Sequence, residues 1–158
     1  MNNLTLKNLL VNGLIAATYA ALTILIYPLS YGAIQMRISE IMVFLAFYNK
    51  KFIPGLTLGC LIANIPSTLG AMDMVFGTVS TLIVTILMYK IDNRFLAAFA
   101  GALVTGAIIG WELSIAFGIP FLINAFYVFV GEAIILAIGA FAFGISEKNQ
   151  AFINLVRE

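Results

Sequence analysis

Five charged side chains interrupt the apolar runs of this chain, and their types suit the binding of a polar ligand. They are one arginine and four carboxylates: Arg37, Glu40, Asp73, Glu112 and Glu132. The surrounding runs are apolar enough to cross a membrane, where a charge costs roughly 2.5–3.5 kcal/mol and therefore usually faces a protein interior or a wet cavity. An acidic cluster in such a cavity suits a ligand that presents hydrogen-bond donors or a positive charge.

The composition indicates a membrane protein. Of the 158 residues, 63% are hydrophobic and 9% are charged, whereas soluble domains average about 45–50% apolar and about 25% charged residues. The length predicts a single membrane domain over residues 1–158, with no room for a second, soluble domain.

Several classes of function are disfavoured by the residues that the sequence lacks. The net charge of +1 gives no reason to expect a nucleic-acid partner. The chain has no histidine, so no nucleophile–base set and no histidine metal site are visible, and we expect neither an enzyme nor a metal centre. A Walker A sequence is also absent, which disfavours ATP hydrolysis by the chain itself. The single cysteine, Cys60, lies in an apolar stretch and is expected to be inert packing.

Six apolar runs are candidates for transmembrane helices, which predicts an all-α membrane bundle. A transmembrane helix needs about 20 mostly apolar residues. The predicted spans cover residues 9–28, 32–48, 52–65, 72–89, 95–112 and 123–146. The sequence YNKKF separates the second and third spans, which are two rather short runs.

The basic residues sort to one side of a six-span topology. All except Arg37 fall on the side that holds both termini: Lys7, Lys50, Lys51, Lys90, Arg94, Lys148 and Arg157. Because loops rich in lysine and arginine stay in the cytoplasm, both termini are predicted to be cytoplasmic.

This topology places the five interrupting charges in the outer half of the bundle. Glu132, for example, lies about nine residues into the sixth span, which is roughly 13 Å deep at a rise of 1.5 Å per residue. We therefore predict an outward-facing, acidic and aromatic pocket. Its candidate substrate-binding residues are Arg37, Glu40, Asn64, Asp73, Trp111, Glu112, Asn124 and Glu132.

Most of these residues also have a structural interpretation. Arg37 and Glu40 are three residues apart and would neutralise each other on one helical face. Asp73 is also placed to cap a helix N-terminus, and Glu112 to mark the membrane edge. Glu132 has no basic neighbour within a helical turn, so it is the hardest of the carboxylates to explain by structure alone.

The other three candidates have structural interpretations too. Trp111 suits an interfacial aromatic belt as well as a wall on which a ligand stacks. Asn64 and Asn124 suit helix capping or hydrogen bonds between helices as well as ligand contacts.

Small residues recur at every fourth position in three of the predicted spans. They are Gly55, Gly59 and Ala63 in the third span, and Ala98, Ala102, Gly106 and Gly110 in the fifth. In the first span Ala16 and Ala17 are followed by Ala20 and Ala21. This spacing lets helix backbones approach closely, so it predicts tight packing within the bundle for the third and fifth spans.

Three stretches of the chain resemble the QueT family, the queuosine-precursor substrate-binding subunits (S components) of energy-coupling factor transporters. They are GAIQMRISE with its Arg-Ile-Ser-Glu element, FIPGLTLGCLIAN, and DMVFGTVSTLIVTILMY. The resemblance extends from about Ala16 to Glu132. Each element is weak by itself, and together they are fairly specific.

The resemblance implies a six-helix bundle that binds a 7-deazaguanine base or queuine and imports it into the cell. It also implies partners in the lipid bilayer and the cytoplasm: a membrane coupling subunit and two ATPase subunits, which consume the ATP, so the chain needs no cofactor. The alanines of the first span, Ala16, Ala17, Ala20 and Ala21, would then dock against the coupling subunit rather than pack internally.

A rival hypothesis is a small ion-coupled membrane carrier or exporter that uses Glu132 as its proton or cation site. Such a carrier would need no ATPase partner. A purely structural membrane subunit is a third possibility, but it leaves the outer carboxylates unexplained.

Overall fold

The computed structural model describes residues 3–32 and 35–157, and within these ranges the chain is helical and has no strands. The long helices are α1 (Asn3–Leu25), α5 (Ala71–Lys90), α6 (Arg94–Phe117) and α7 (Phe121–Ser146). The shorter ones are α2 (Tyr27–Ser30), α3 (Phe44–Tyr48), α4 (Ile53–Ala63) and α8 (Gln150–Arg157). Two 3₁₀ segments, Ile38–Val43 and Lys50–Phe52, lead directly into α3 and α4.

Four helices within the described ranges are long and apolar enough to cross a membrane: α1, α5, α6 and α7. The other two predicted spans are not full-length helices. In the second, only Ile38–Tyr48 is helical, and residues 33 and 34 lie outside the described residues. The third corresponds to α4, which has 11 residues. At 1.5 Å per residue α4 is about half as long as the hydrocarbon core is thick, so the six-span count is not confirmed.

The end of α6 differs from the predicted boundary at Glu112. The helix continues to Phe117 and ends at Gly118, whose φ of 69° is the left-handed conformation that favours glycine at a helix C-terminus. Glu112 is fully buried inside the bundle, so it does not mark the membrane edge.

The helices pack in a ring around the 38–48 region. In this ring α1 contacts α4, α4 contacts α5, α5 contacts α6, and α6 contacts α7. The 3₁₀ segment Ile38–Val43 contacts α1, α4, α5 and α7, which brings Ser39 and Glu40 into the buried interior. Part of the second predicted span therefore lies in the interior of the bundle.

Small residues hold two of the helix pairs together, as their spacing predicts. A Cβ atom at Gly110 of α6 would lie 2.5 Å from the Cα of Ala125 on α7. A Cβ at Gly59 of α4 would lie 3.0 Å from the Cα of Ala16 on α1. Backbones that approach so closely leave no room for a side chain, so the prediction of close packing is confirmed for the third and fifth spans.

An asparagine fixes the short helix α4 against α1. The Asn12 side chain accepts a hydrogen bond of 2.7 Å from the Gly55 backbone N–H and donates one of 2.9 Å to the Lys51 carbonyl. These bonds satisfy backbone groups at the start of α4, where the helix itself supplies no partner for its first N–H groups.

Candidate ligand-binding site

The bundle has two chemically different ends. The carboxylate end is where α1 and α6 finish and where α5 and α7 begin. The basic end is the opposite one, where Arg94 at the start of α6 forms an ion pair with Glu147 just beyond α7, and Lys50 lies over the Tyr89 ring. Most basic residues therefore lie at one end, while the cytoplasmic location of that end stays a prediction.

A cavity of about 360 Å³ opens at the carboxylate end. Ligand pockets typically measure about 300–1,000 Å³, so the cavity is large enough for a small heterocyclic molecule. Its polar and aromatic lining includes Tyr31, Gln35, Asp73, Phe117, Asn124 and Tyr127.

Asp73 is the carboxylate that lines this large cavity. It lies in the first turn of α5, where its side chain makes no N-cap hydrogen bond, and it is 2% exposed. Its Oδ1 has no hydrogen-bond partner among the described residues. Asp73 is also the neighbour of Glu112, and the two carboxyl groups are near enough to interact directly; no other described residue donates to the Glu112 oxygens. Two adjacent carboxyl groups of this kind form an acceptor site for a ligand N–H or a cation.

Asn124 supplies a further acceptor to the large cavity. Its side-chain nitrogen lies within hydrogen-bond distance of Ser114 Oγ, at 3.3 Å, and of the Ile119 carbonyl, at 3.4 Å. Because both donor positions have these partners, the amide oxygen is the part that is left for a ligand.

Aromatic side chains form the walls of the cavity. Tyr31 comes from the segment after α2, Phe117 from the end of α6 and Tyr127 from α7. The Tyr31 hydroxyl donates a hydrogen bond to the Ala63 carbonyl at the end of α4, which orients its ring. Such walls suit a flat ring that stacks.

A second, much smaller space lies one to two helical turns deeper in the bundle. Its volume is about 10 Å³, close to the minimum for a single water molecule. Its polar lining includes Arg37, Glu40, Thr81 and Glu132, and Gln35 lines both this space and the large cavity.

Arg37 and Glu40, which the sequence predicts could neutralise each other, have other hydrogen-bond partners. Glu40 accepts hydrogen bonds from the Tyr19 hydroxyl and from Thr81 Oγ1, the latter at 3.2 Å. Arg37 donates to the Ser30 carbonyl at 3.4 Å and to Gln35 Oε1 at 3.3 Å. No ion pair within 4.0 Å joins Arg37 to Glu40 in the described part of the chain, so mutual neutralisation is not their main contact.

Glu132 reaches this deep layer from the middle of α7. It is 1% exposed, and its Oε1 has no hydrogen-bond partner among the residues described. A buried acceptor without a partner costs about 1–3 kcal/mol, so the structure itself gives no stabilising reason for this carboxylate.

Three predicted site residues line neither space: Glu112, which lies beside Asp73, and Asn64 and Trp111. Asn64 is fully buried at the end of α4, where its side-chain nitrogen lies 3.4 Å from Cys60 Sγ. Trp111 is 59% exposed on the outer surface, with its ring 5.9 Å from that of Phe76 in an edge contact. This position favours the interfacial-belt interpretation of Trp111 over a stacking wall inside the cavity.

The four alanines of α1 divide between two faces. Ala16 and Ala20 are 2% and 5% exposed, and Ala16 packs where α1 crosses Gly59 of α4. Ala17 and Ala21 are exposed on the outer surface of the bundle. Only the second pair is accessible to another protein in this arrangement.

The lining residues that the sequence-based prediction missed include Tyr31, Gln35, Phe117 and Tyr127. Gln35 had a usable signal, because it is a polar residue within an apolar run and only two positions from Arg37. The three aromatic residues had none, because aromatic side chains are common throughout this chain. Among the described residues, no group of three or more histidine, cysteine, aspartate or glutamate side chains is arranged to hold a metal ion.

Comparison with known proteins identifies two similarities. A family model described as QueT transporter matches residues 9–148. The chain is also 40% identical over 84 residues to the queuosine precursor transporter QueT of Lactococcus lactis subsp. cremoris (strain MG1363), a match that covers 52% of this chain and 49% of that protein. The chain thus matches about half the length of this relative. No solved structure shows significant similarity to this chain.

Proposed function

Because the chain belongs to the QueT transporter family, we propose that it is the substrate-binding membrane subunit of an importer and that it captures a queuosine precursor at its carboxylate end. The family is one of transporters, not enzymes, and the four membrane-length helices make the chain a multi-pass membrane protein. The named relative is a queuosine precursor transporter. The substrate of this chain and its partners are part of the proposal.

The observation that supports this substrate best is the position of Asp73. Its carboxylate lies in an aromatic-walled cavity of about 360 Å³, and one of its oxygens lacks a partner among the described residues. A guanine-type base presents two adjacent N–H donors on one edge, and a carboxylate accepts such a pair in a bidentate geometry. The ring of the base would stack on the Tyr31, Phe117 or Tyr127 side chains.

The other carboxylates extend this acceptor site. Glu112 adjoins Asp73, while Glu40 and Glu132 lie deeper. In this proposal they accept hydrogen bonds from the ligand or from water beside it, and they would attract a ligand that carries an amino group. Arg37 offsets part of their negative charge.

The substrate is tested by mass spectrometry of small molecules that co-purify with the full chain, followed by calorimetric titration with 7-deazaguanine. A co-purified deazaguanine and saturable binding are the expected results. A chain that is folded, retains no such molecule and does not bind 7-deazaguanine would refute the proposed substrate.

Coupling to ATP hydrolysis is the second part of the proposal. A membrane coupling subunit would dock on the exposed small residues of α1, Ala17 and Ala21, because helix backbones approach closely over small side chains. Ala16 and Ala20 are buried on a neighbouring face of α1, where they would hold this helix in position within the bundle.

Tryptophan substitutions on the two faces of α1 separate docking from packing. Ala17→Trp should leave ligand affinity unchanged and abolish both co-purification with a coupling module and ATP-dependent uptake. Ala16→Trp should instead destabilise the isolated chain, since it faces α4. If Ala17→Trp still assembles and transports, the exposed alanines are not the docking face.

An ion-coupled carrier remains the second candidate, and the burial of Glu132 without a partner for its Oε1 favours it. Uptake by the chain alone in vesicles, abolished by an uncoupler and by Glu132→Gln, would support this mechanism. Uptake only in the presence of ATPase subunits would support the first.

A further inference from the structure

Gln35 has an unusual backbone and an unusual position. It is the non-glycine residue with a positive φ in the described part of the chain, at 49°, a region that glutamine rarely adopts. Its backbone N–H donates to the Gly32 carbonyl at 3.0 Å, which holds the residue in place. Strained conformations of this kind concentrate at ligand-binding sites, where the surrounding structure enforces them.

The Gln35 side chain lies between the two spaces of the site. The residue is 6% exposed, and it lines both the large cavity with Asp73 and the small space with Arg37. It therefore lies between the ligand cavity and the deep charged layer.

Arg37 determines which way the Gln35 amide points. Arg37 Nη2 lies 3.3 Å from Gln35 Oε1. A guanidinium has only donors, so the amide atom that faces it must be the oxygen. The amide nitrogen then points away from Arg37, and it donates to no group within the described residues.

The large cavity therefore offers both kinds of hydrogen-bonding group. Asp73 is an acceptor, and Asn124 presents its amide oxygen because its nitrogen has partners. Gln35 lines the same cavity, and the part of its amide that does not face Arg37 is the nitrogen, which is a donor. A ring with adjacent N–H groups and a carbonyl oxygen, as on the lactam edge of a guanine-type base, complements this set.

We propose that Gln35 is a specificity-determining residue, whose side-chain N–H, oriented by Arg37, donates to the ring carbonyl oxygen of the ligand while Asp73 accepts from the adjacent ring N–H. This assignment rests on the proposed function, because it concerns the same ligand. It predicts that the site distinguishes an oxo group from an amino group at one ring position. An amino group there would place one donor against another.

The test compares 7-deazaguanine with 7-deaza-2,6-diaminopurine, in which an amino group replaces the oxo group and the adjacent ring nitrogen no longer carries the N–H from which Asp73 would accept. The full-length chain in nanodiscs is titrated calorimetrically with each, and the ratio of the two dissociation constants is the readout. The wild-type chain should prefer the oxo ligand by about ten- to a hundred-fold, the usual discrimination of a well-placed hydrogen-bonded pair.

Two substitutions at Gln35 test the donor. In Gln35→Glu, one carboxylate oxygen still accepts from Arg37, while the other replaces the donor with an acceptor. The preference should fall at least about ten-fold and shift toward the diamino ligand. Gln35→Gly removes the amide and tolerates the positive φ, so it should fold and lower the ratio by about three- to ten-fold, while the part of the preference that comes from Asp73 stays. The matched control is Gln150→Glu on exposed α8, which adds the same charge far from the cavity and should keep the wild-type ratio.

The outcomes separate this assignment from the proposed function. A wild-type chain that binds neither ligand overturns the proposed substrate and this assignment with it. A wild-type chain that binds both ligands equally well overturns the contacts assigned to Asp73 and Gln35 together. A Gln35→Gly variant that retains the wild-type ratio overturns the role of Gln35 alone. A lower preference in the Gln35 variants, with the ratio intact in Gln150→Glu, is the result that we expect.

Discussion

The two ends of the bundle use their charged residues in opposite ways. At the basic end, Arg94 Nη2 lies 2.9 Å from Glu147 Oε2, and the Tyr48 hydroxyl lies 2.9 Å from Glu147 Oε1. These groups join α3, α6 and the end of α7. At the carboxylate end, Asp73 and Glu112 are buried and present oxygens without a partner among the described residues.

The difference separates the stabilising role of a charge from its binding role. The Arg94–Glu147 pair is partly exposed, so it contributes about 0–1 kcal/mol to stability. Each unpartnered buried acceptor instead costs about 1–3 kcal/mol, which a ligand donor can recover. Substitutions at the carboxylate end should therefore change ligand affinity, and those at the basic end should change stability.

The largest effect is expected at Asp73. Asp73→Asn replaces an acceptor oxygen with a donor against the ligand N–H groups, so 7-deazaguanine affinity should fall by about ten- to a hundred-fold, or roughly 1.5–3 kcal/mol. The thermal midpoint of the unliganded chain should stay the same or rise, because a buried charge is removed. Calorimetric titration and thermal melting measure the two quantities. Asp92→Asn, on an exposed loop, is the control and should change neither.

A smaller effect is expected in the deep layer. Glu40→Gln and Glu132→Gln should each weaken binding by about 0.5–1.5 kcal/mol, because these carboxylates line the small inner space rather than the large cavity. Titration of both variants checks this order. Losses as large as that of Asp73→Asn would show that the ligand reaches the deep layer, and unchanged affinity in both would remove the layer from the site.

The smallest effect is expected at the basic end, and it concerns stability rather than ligand affinity. Glu147→Gln weakens the contact with Arg94 and should lower the free energy of unfolding by about 0.5–1 kcal/mol while ligand affinity stays unchanged. Denaturation in detergent micelles measures the first quantity. Lys90→Gln, an exposed substitution at the same end, serves as the control. A loss of affinity in Glu147→Gln would contradict the separation of the two ends.

Much of the fold was predictable because hydropathy and helix length are local properties. The predicted spans 72–89 and 123–146 agree with α5 and α7 within two residues at each end. The region 32–48 was not predictable in this way. Its apolar run is long enough for a span, but it forms a 3₁₀ segment and a five-residue helix at the centre of the ring, where neighbouring helices rather than lipid surround it.

The sequence alone predicted that the chain is a helical membrane protein, that all its basic residues except Arg37 lie apart from the inner carboxylates, and that small residues let the third and fifth spans pack closely. Tertiary structure decided which polar residues share a cavity. It brought Gln35 beside Asp73, left Trp111 on the outer surface, and divided the alanines of α1 between a buried and an exposed face. The physical reason is that lipid is as apolar as a protein core, so the hydrophobic pattern of a transmembrane helix does not distinguish its lipid-facing side from its inward side. Only the packing of the neighbouring helices does so.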